Sequence, residues 1–119
     1  MNYAELQAHI LDTLNRPDLT DAVVDLIADG EARLNRDRRV FQRVPALSDS
    51  APTNWLLEDH RDIYRLAALA ESAPYLKDDE RLVVWETQLD RRLEDLHVHT
   101  EYESSPEYPV RPRPRPIGG

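Results

Sequence analysis

The 119-residue sequence contains no cysteine, three glycines, one methionine and one phenylalanine. Without cysteine there is no disulfide, no thiolate zinc site and no cysteine nucleophile. Gly118 and Gly119 are terminal and Gly30 stands alone, so a glycine-rich phosphate cradle has no material from which to form. Long hydrophobic runs are missing too. Stretches such as residues 67–70 fall far short of the ~20 apolar residues that span a bilayer, and Met1-Asn2-Tyr3-Ala4-Glu5 lacks the basic region and apolar run of a secretory signal. These absences predict one soluble domain that stays in the cytoplasm where it is made. What is present agrees: 40% hydrophobic and 32% charged residues with a mean hydropathy of -0.67 fit a small helix-rich protein.

The charge balance, 15 basic against 23 acidic residues, gives a net of -8, so the molecule as a whole repels a phosphate backbone. Its distribution is uneven. Residues 104–119 hold Arg111, Arg113 and Arg115 against Glu107 alone, a net of +2, which leaves -10 for residues 1–103. Five of the nine prolines, Pro106, Pro109, Pro112, Pro114 and Pro116, lie in the same tail. The division predicted is a helical domain over residues 1–100 and an extended Pro/Arg-rich arm over 101–119.

The body reads as helices. Tyr3, Leu6, Ile10, Leu11 and Leu14 form one amphipathic stripe that Pro17 ends. Asp18 and Thr20 are suitable N-caps for a second helix, and Leu19, Val23, Leu26, Ile27, Gly30 and Leu34 carry its spacing to about Arg39. Glycine in mid-helix costs about 1 kcal/mol against alanine, so Gly30 predicts close helix packing there. Residues 40–54, with Pro45, Ser48, Asp49, Ser50, Pro52 and Asn54, have the composition of a loop, long for a compact domain. Thr53 or Asn54 caps a third helix carrying Trp55, Leu56, Ile63, Leu66, Ala67 and Ala70, interrupted by Pro74. The fourth starts in Asp78-Asp79-Glu80, well placed for the helix dipole, and its stripe is Leu82, Trp85, Leu89, Leu93 and Leu96. Only Val40-Phe41-Gln42-Arg43-Val44 weakly resembles a strand. The fold expected is all-α, a small bundle of about four helices, with Leu6, Ile10, Leu14, Val23, Leu26, Ile27, Leu34, Trp55, Leu66, Leu82, Trp85, Leu89 and Leu93 in its core.

Catalytic constellations find no support. His97 and His99 on one helix point about 200° apart and cannot share a metal, and the carboxylates fall on solvated helix faces among arginines. GxSxG, HExxH and phosphate-loop patterns are absent, so neither enzymatic activity nor a cofactor is expected. The run Arg33, Arg36, Arg38, Arg39 could be a nucleic-acid face, but Asp37 lies inside it, Asp29 and Glu31 precede it, and cations suit a helix C-terminus. A dipole-complementing or interface role reads better. The tail Tyr108-Pro109-Val110-Arg111-Pro112-Arg113-Pro114-Arg115-Pro116-Ile117 is biased to an extended polyproline helix. It suits an acidic groove, where guanidinium groups form charge-assisted hydrogen bonds, and equally a disordered solubilising tail.

Several segments resemble one family, the small adaptor or head-completion proteins of tailed bacteriophages. They are Tyr3-Ala4-Glu5-Leu6, Leu14-Asn15-Arg16-Pro17-Asp18-Leu19-Thr20, Glu31-Ala32-Arg33-Leu34-Asn35-Arg36-Asp37-Arg38-Arg39, and the more distinctive Pro45-Ala46-Leu47-Ser48-Asp49-Ser50-Ala51-Pro52-Thr53-Asn54-Trp55-Leu56-Leu57 and Ala73-Pro74-Tyr75-Leu76-Lys77-Asp78-Asp79-Glu80-Arg81. The resemblance covers roughly residues 2–96 and leaves the tail unmatched. The longer members it resembles carry a β-rich insertion between the second helix and the Pro45 segment, and the resemblance implies that the loop here is its remainder.

The resemblance implies a helical protomer in a homo-oligomeric ring of twelve below the phage portal protein. Such a ring joins head to tail at the virion neck, meets a tail-side protein, and lets DNA through without specific binding or membrane contact. A ring needs heterologous contacts, and Arg36, Arg38 and Arg39 against Asp78, Asp79 and Glu80 are the candidate pair. The docking arm would present Tyr102, Tyr108, Arg111, Arg113, Arg115 and Ile117 to the portal or a neighbour. The competing reading is a small acidic regulatory module whose Pro-Arg tail engages a cytoplasmic partner or nucleic acid.

Overall fold

The computed structural model describes residues 1–77 and 79–104, the last four as backbone only. It is all-helical: α1 (Tyr3–Leu14), α2 (Val23–Arg36), α3 (Trp55–Asp59), α4 (Arg61–Ala70) and α5 (Arg81–Ser104), with 3-10 turns at Pro17–Leu19 and Ala73–Tyr75. No strand occurs among the described residues. Asn2 caps α1 reciprocally: its side chain accepts the Glu5 N–H and the Glu5 carboxylate accepts the Asn2 N–H, both at 2.9 Å. Asn15, with φ 55, closes the helix in the left-handed region.

The second helix is shorter than its apolar spacing suggests. Pro17 is used in a separate 3-10 turn, and α2 begins only at Val23, with no side-chain cap. It ends at Arg36 because Asp37 turns extended and its carboxylate accepts the Arg39 N–H at 2.9 Å, a local alternative to the helical bond. Asn54, rather than Thr53, caps the next helix by accepting the Leu57 N–H at 2.9 Å. That helix breaks at His60 (φ -139, ψ 54) into α3 and α4, which is why five helices stand where about four are expected.

Helix α4 is the centre of the molecule. Ile63, Tyr64 and every residue from 66 to 70 are buried, and it packs against α1, α2, α3 and α5. Gly30 of α2 is where the two backbones come closest. A Cβ there would stand 3.0 Å from the Ala68 nitrogen and 3.2 Å from the Ala67 carbonyl carbon, so the expectation of close packing holds. Of the expected core, Leu6, Ile10, Leu14, Val23, Leu26, Ile27, Leu34, Leu66, Trp85, Leu89 and Leu93 are buried, whereas Trp55 and Leu82 are half-buried against it. Helix α5, 24 residues and so about 36 Å long, lays Trp85, Leu89, Leu93 and Leu96 on this core. No described helix is long and apolar enough to cross a membrane.

Candidate assembly surface

Residues 40–54 have almost no regular hydrogen bonding of their own, so side chains from the helices must satisfy their backbone. Asn35 does so like a strand neighbour: its side chain donates to the Val44 carbonyl (3.1 Å) and accepts the Val44 N–H (2.8 Å). The buried Glu31 carboxylate accepts the Leu47 N–H at 2.8 Å and a short hydrogen bond from the Tyr64 hydroxyl. Asn54 Nδ2 donates to the Pro45 carbonyl (2.7 Å) and to the Tyr64 oxygen (3.1 Å). Burial first, and then the bond to Glu31, push the Tyr64 phenol well above its ordinary range, so it keeps the proton it donates. Val44 and Leu47 are thereby driven into the core. Trp55 Nε1 donates to the Arg43 carbonyl at 2.8 Å, and the Trp55 ring carries Phe41 at a centroid distance of 5.1 Å. Phe41 remains 55% exposed.

A seam of ion pairs joins α2 to α5. Arg33 bridges Glu71 (3.2 Å) and Glu86, and Arg39 bridges Asp37 (3.0 Å), Asp90 (2.8 Å) and Glu94 (3.3 Å). Both helices therefore run in one direction, with α4 antiparallel beside them and Arg92 reaching its Asp62 at 3.6 Å. Hydrogen bonding to Asp37 and Asp90 raises the Arg39 pKa, and the bond from Arg39 holds the Asp37 carboxyl below its ordinary value. An unfolded aspartate titrates near ~3.9. The stabilisation from Asp37 is therefore complete above about pH 4 and is lost as pH falls through the lower folded value. Asp37→Asn is expected to cost about 1 kcal/mol at pH 7 and to flatten the loss of stability between pH 5 and 2.5, read from urea midpoints. An unaltered pH slope would show that the charge of Asp37 does not hold Arg39.

The structure changes the proposed charge pair. Arg39 is turned inward into the seam, while Arg36 and Arg38 are exposed. Asp79 accepts the Arg81 N–H (2.9 Å) and pairs with its guanidinium (2.8 Å) at the start of α5, and Glu80 is exposed. Asp78 lies outside the described residues, as do Tyr108, Arg111, Arg113, Arg115, Ile117 and the side chain of Tyr102, which stands on the last turn of α5. The patch that sequence reasoning missed is Phe41 on Trp55 with Arg43 beside it. Its signal was the weakly strand-like 40–44 segment, whose alternation puts Phe41 out and Val44 in.

No group of His, Asp and Glu side chains among the described residues is arranged to hold a metal ion. An open cleft of about 440 Å³ lies between the α3–α4 bend and α5, walled by charges of both signs such as Asp59, Arg61, Arg92 and Asp95. The family model for SU10 adaptor protein matches residues 39–113, more than half of the chain. The chain belongs to the SU10 adaptor protein family. It is a phage adaptor, a structural protein of the virion. The adaptor's match begins at Arg39, where the α2–α5 seam is tied, and extends into residues 97–113, which the segment resemblance left unmatched. It does not include the first two helices. No curated protein and no solved structure matches the adaptor.

Proposed function

We propose that the adaptor forms a twelve-membered ring beneath the portal and couples the DNA-filled head to the tail. The observation that carries this reading is the family match over residues 39–113. The charge of the body supports it: with -10 on residues 1–103, a ring of these subunits repels the duplex passing through its lumen and leaves it free to slide. The ring sits at the neck, with the portal on one side and a tail-side protein on the other. Its Pro/Arg arm leaves the body at the end of α5 and docks on the portal, with Tyr102 and Tyr108 as anchors and Arg111, Arg113 and Arg115 paired with carboxylates.

Native mass spectrometry of the adaptor co-expressed with the portal of its phage is expected to show about a dozen adaptor copies per portal ring. A small one-to-one complex would refute the ring. Deleting residues 105–119 is expected to leave the helical body folded and to abolish tail-bearing particles, and normal virion yield from that deletion would refute the docking arm.

A further inference from the structure

The internal ion pairs show which charges are left for a partner. Arg33, Arg39, Arg81 and Arg92 are spent within the chain. The side chains of Arg36, Arg38 and Arg43 make no hydrogen bond or ion pair among the described residues, and all three are exposed. They lie within eight residues at and just beyond the C-terminal end of α2 and flank Phe41 in the chain, an aromatic ring 55% exposed against Trp55. Asp21, just before α2, and Asp25 and Asp29 in its first half recur every four residues and are exposed, their side chains likewise without an ion pair or hydrogen bond among the described residues. Val24 lies among them, 46% exposed. The nearest members, Asp29 and Arg36, are seven residues and so about 10 Å apart along α2, and no ion pair among the described residues joins the two patches within the chain.

We propose that the Arg36/Arg38/Arg43–Phe41 corner of one adaptor docks on the Asp21/Asp25/Asp29–Val24 face of the next copy. This rests on the ring reading above, because a closed ring uses each of two different patches once per subunit. The charges match three against three, and each patch has an apolar centre, Phe41 or Val24, around which ion pairs gain from partial desolvation. The competing occupant of the basic corner is a nucleic-acid backbone. The corner offers only three free cations beside the carboxylate of Asp37, on a chain of net charge -8, and an exposed Phe41 backed by Trp55 fills a protein contact better than a phosphate groove.

The cysteine-free sequence gives a clean test. In rings assembled with the portal of the same phage, the double variant Val24→Cys/Phe41→Cys is expected to oxidise into a ladder of covalent oligomers that closes at the ring number. A mixture of the two single variants should give cross-linked pairs only. Adding Arg36→Glu/Arg38→Glu/Arg43→Glu is expected to cut the 24–41 cross-link about tenfold, in line with three exposed pairs. Pairing that chain with one bearing Asp21→Lys/Asp25→Lys/Asp29→Lys should restore it. Where the lysine variant melts early, Asp21→Asn/Asp25→Asn/Asp29→Asn replaces it and is expected to weaken the cross-link alone.

A ladder that stops at dimers means an isologous pair and overturns the proposal. So does an intact ring of a dozen copies without the 24–41 cross-link, which leaves the ring itself standing. Retardation of a short DNA duplex that the triple glutamate variant abolishes, with no cross-link, assigns the corner to nucleic acid and also overturns it. Absence of any ring removes both readings.

Discussion

Gly30→Leu is expected to cost more than about 4 kcal/mol, and Gly30→Ala about 1 kcal/mol, both read from urea unfolding of the full chain by tryptophan fluorescence. The alanine variant is the sharper of the two because two opposing effects meet there. Replacing a mid-helix glycine with alanine gains about 1 kcal/mol in helix propensity, so an unconstrained Gly30 would be stabilised by it. The new methyl, however, meets the Ala68 nitrogen at 3.0 Å and the Ala68 Cα at 3.3 Å, and these are backbone atoms of the central helix that cannot rotate away. Either α2 lifts off α4 or α4 bends, and in both cases Ile27, Leu34 and Leu66, all about fully buried, lose contact. A penalty of about 1–3 kcal/mol for overpacking outweighs the propensity gain. Leucine adds three more heavy atoms on that line and has no empty volume to enter. If Gly30→Ala is instead more stable than the wild type, the contact between α2 and α4 is looser than these distances imply.

Gly30 also shows how far the sequence reaches. A lone glycine inside an apolar period announced a close approach without saying to what, because the partner, Ala67-Ala68, is small and apolar and reads as an ordinary stripe. Helix existence and apolar faces were legible from spacing, and Leu6, Ile10, Val23, Leu26, Leu89 and Leu93 are buried as that spacing requires. Boundaries were less so. Asp37 ends α2 three residues early by bonding the Arg39 N–H, and His60 divides one expected helix into two; each is a local competition that periodicity does not register. The candidate surface suffered most, since the role of an arginine depends on which carboxylate it can reach. Arg39 and Arg36 look alike in the sequence, yet one is locked to Asp90 at 2.8 Å and the other faces solvent. Among the arginines of that run, Arg39 is thus paired within the chain while the side chains of Arg36 and Arg38 are exposed.

The long loop that carries Phe41 and Arg43 depends on a charged group that the apolar pattern of α2 hides. Glu31 sits on the buried face of that helix, 7% exposed, where spacing alone calls for an aliphatic residue. Glu31→Leu satisfies the spacing and is nevertheless expected to destabilise the adaptor by about 2–3 kcal/mol, because it strands two buried donors, the Leu47 N–H and the Tyr64 hydroxyl. Tyr64→Phe removes one donor from the carboxylate and one acceptor from Asn54 Nδ2, for an expected loss of about 1–3 kcal/mol. In Glu31→Leu/Tyr64→Phe the hydroxyl and the carboxylate leave together, so the double loss should fall short of the sum by about 1–2 kcal/mol. Glu31→Gln keeps one acceptor for Leu47 or Tyr64 and should lie between the wild type and Glu31→Leu. The failure should also be local first. Amide exchange at Leu47 and Val44 is expected to accelerate in Glu31→Leu while the α4 amides stay protected, since the loop opens before the helices part. Strict additivity of the two substitutions, or uniform loss of protection across α4, would mean that Glu31 and Tyr64 do not act as one clamp on the loop. If they do act as one, the position of Phe41 on the surface is set from inside the core, and under the docking proposed above a substitution that never reaches solvent should weaken contact between copies as surely as one at Arg38.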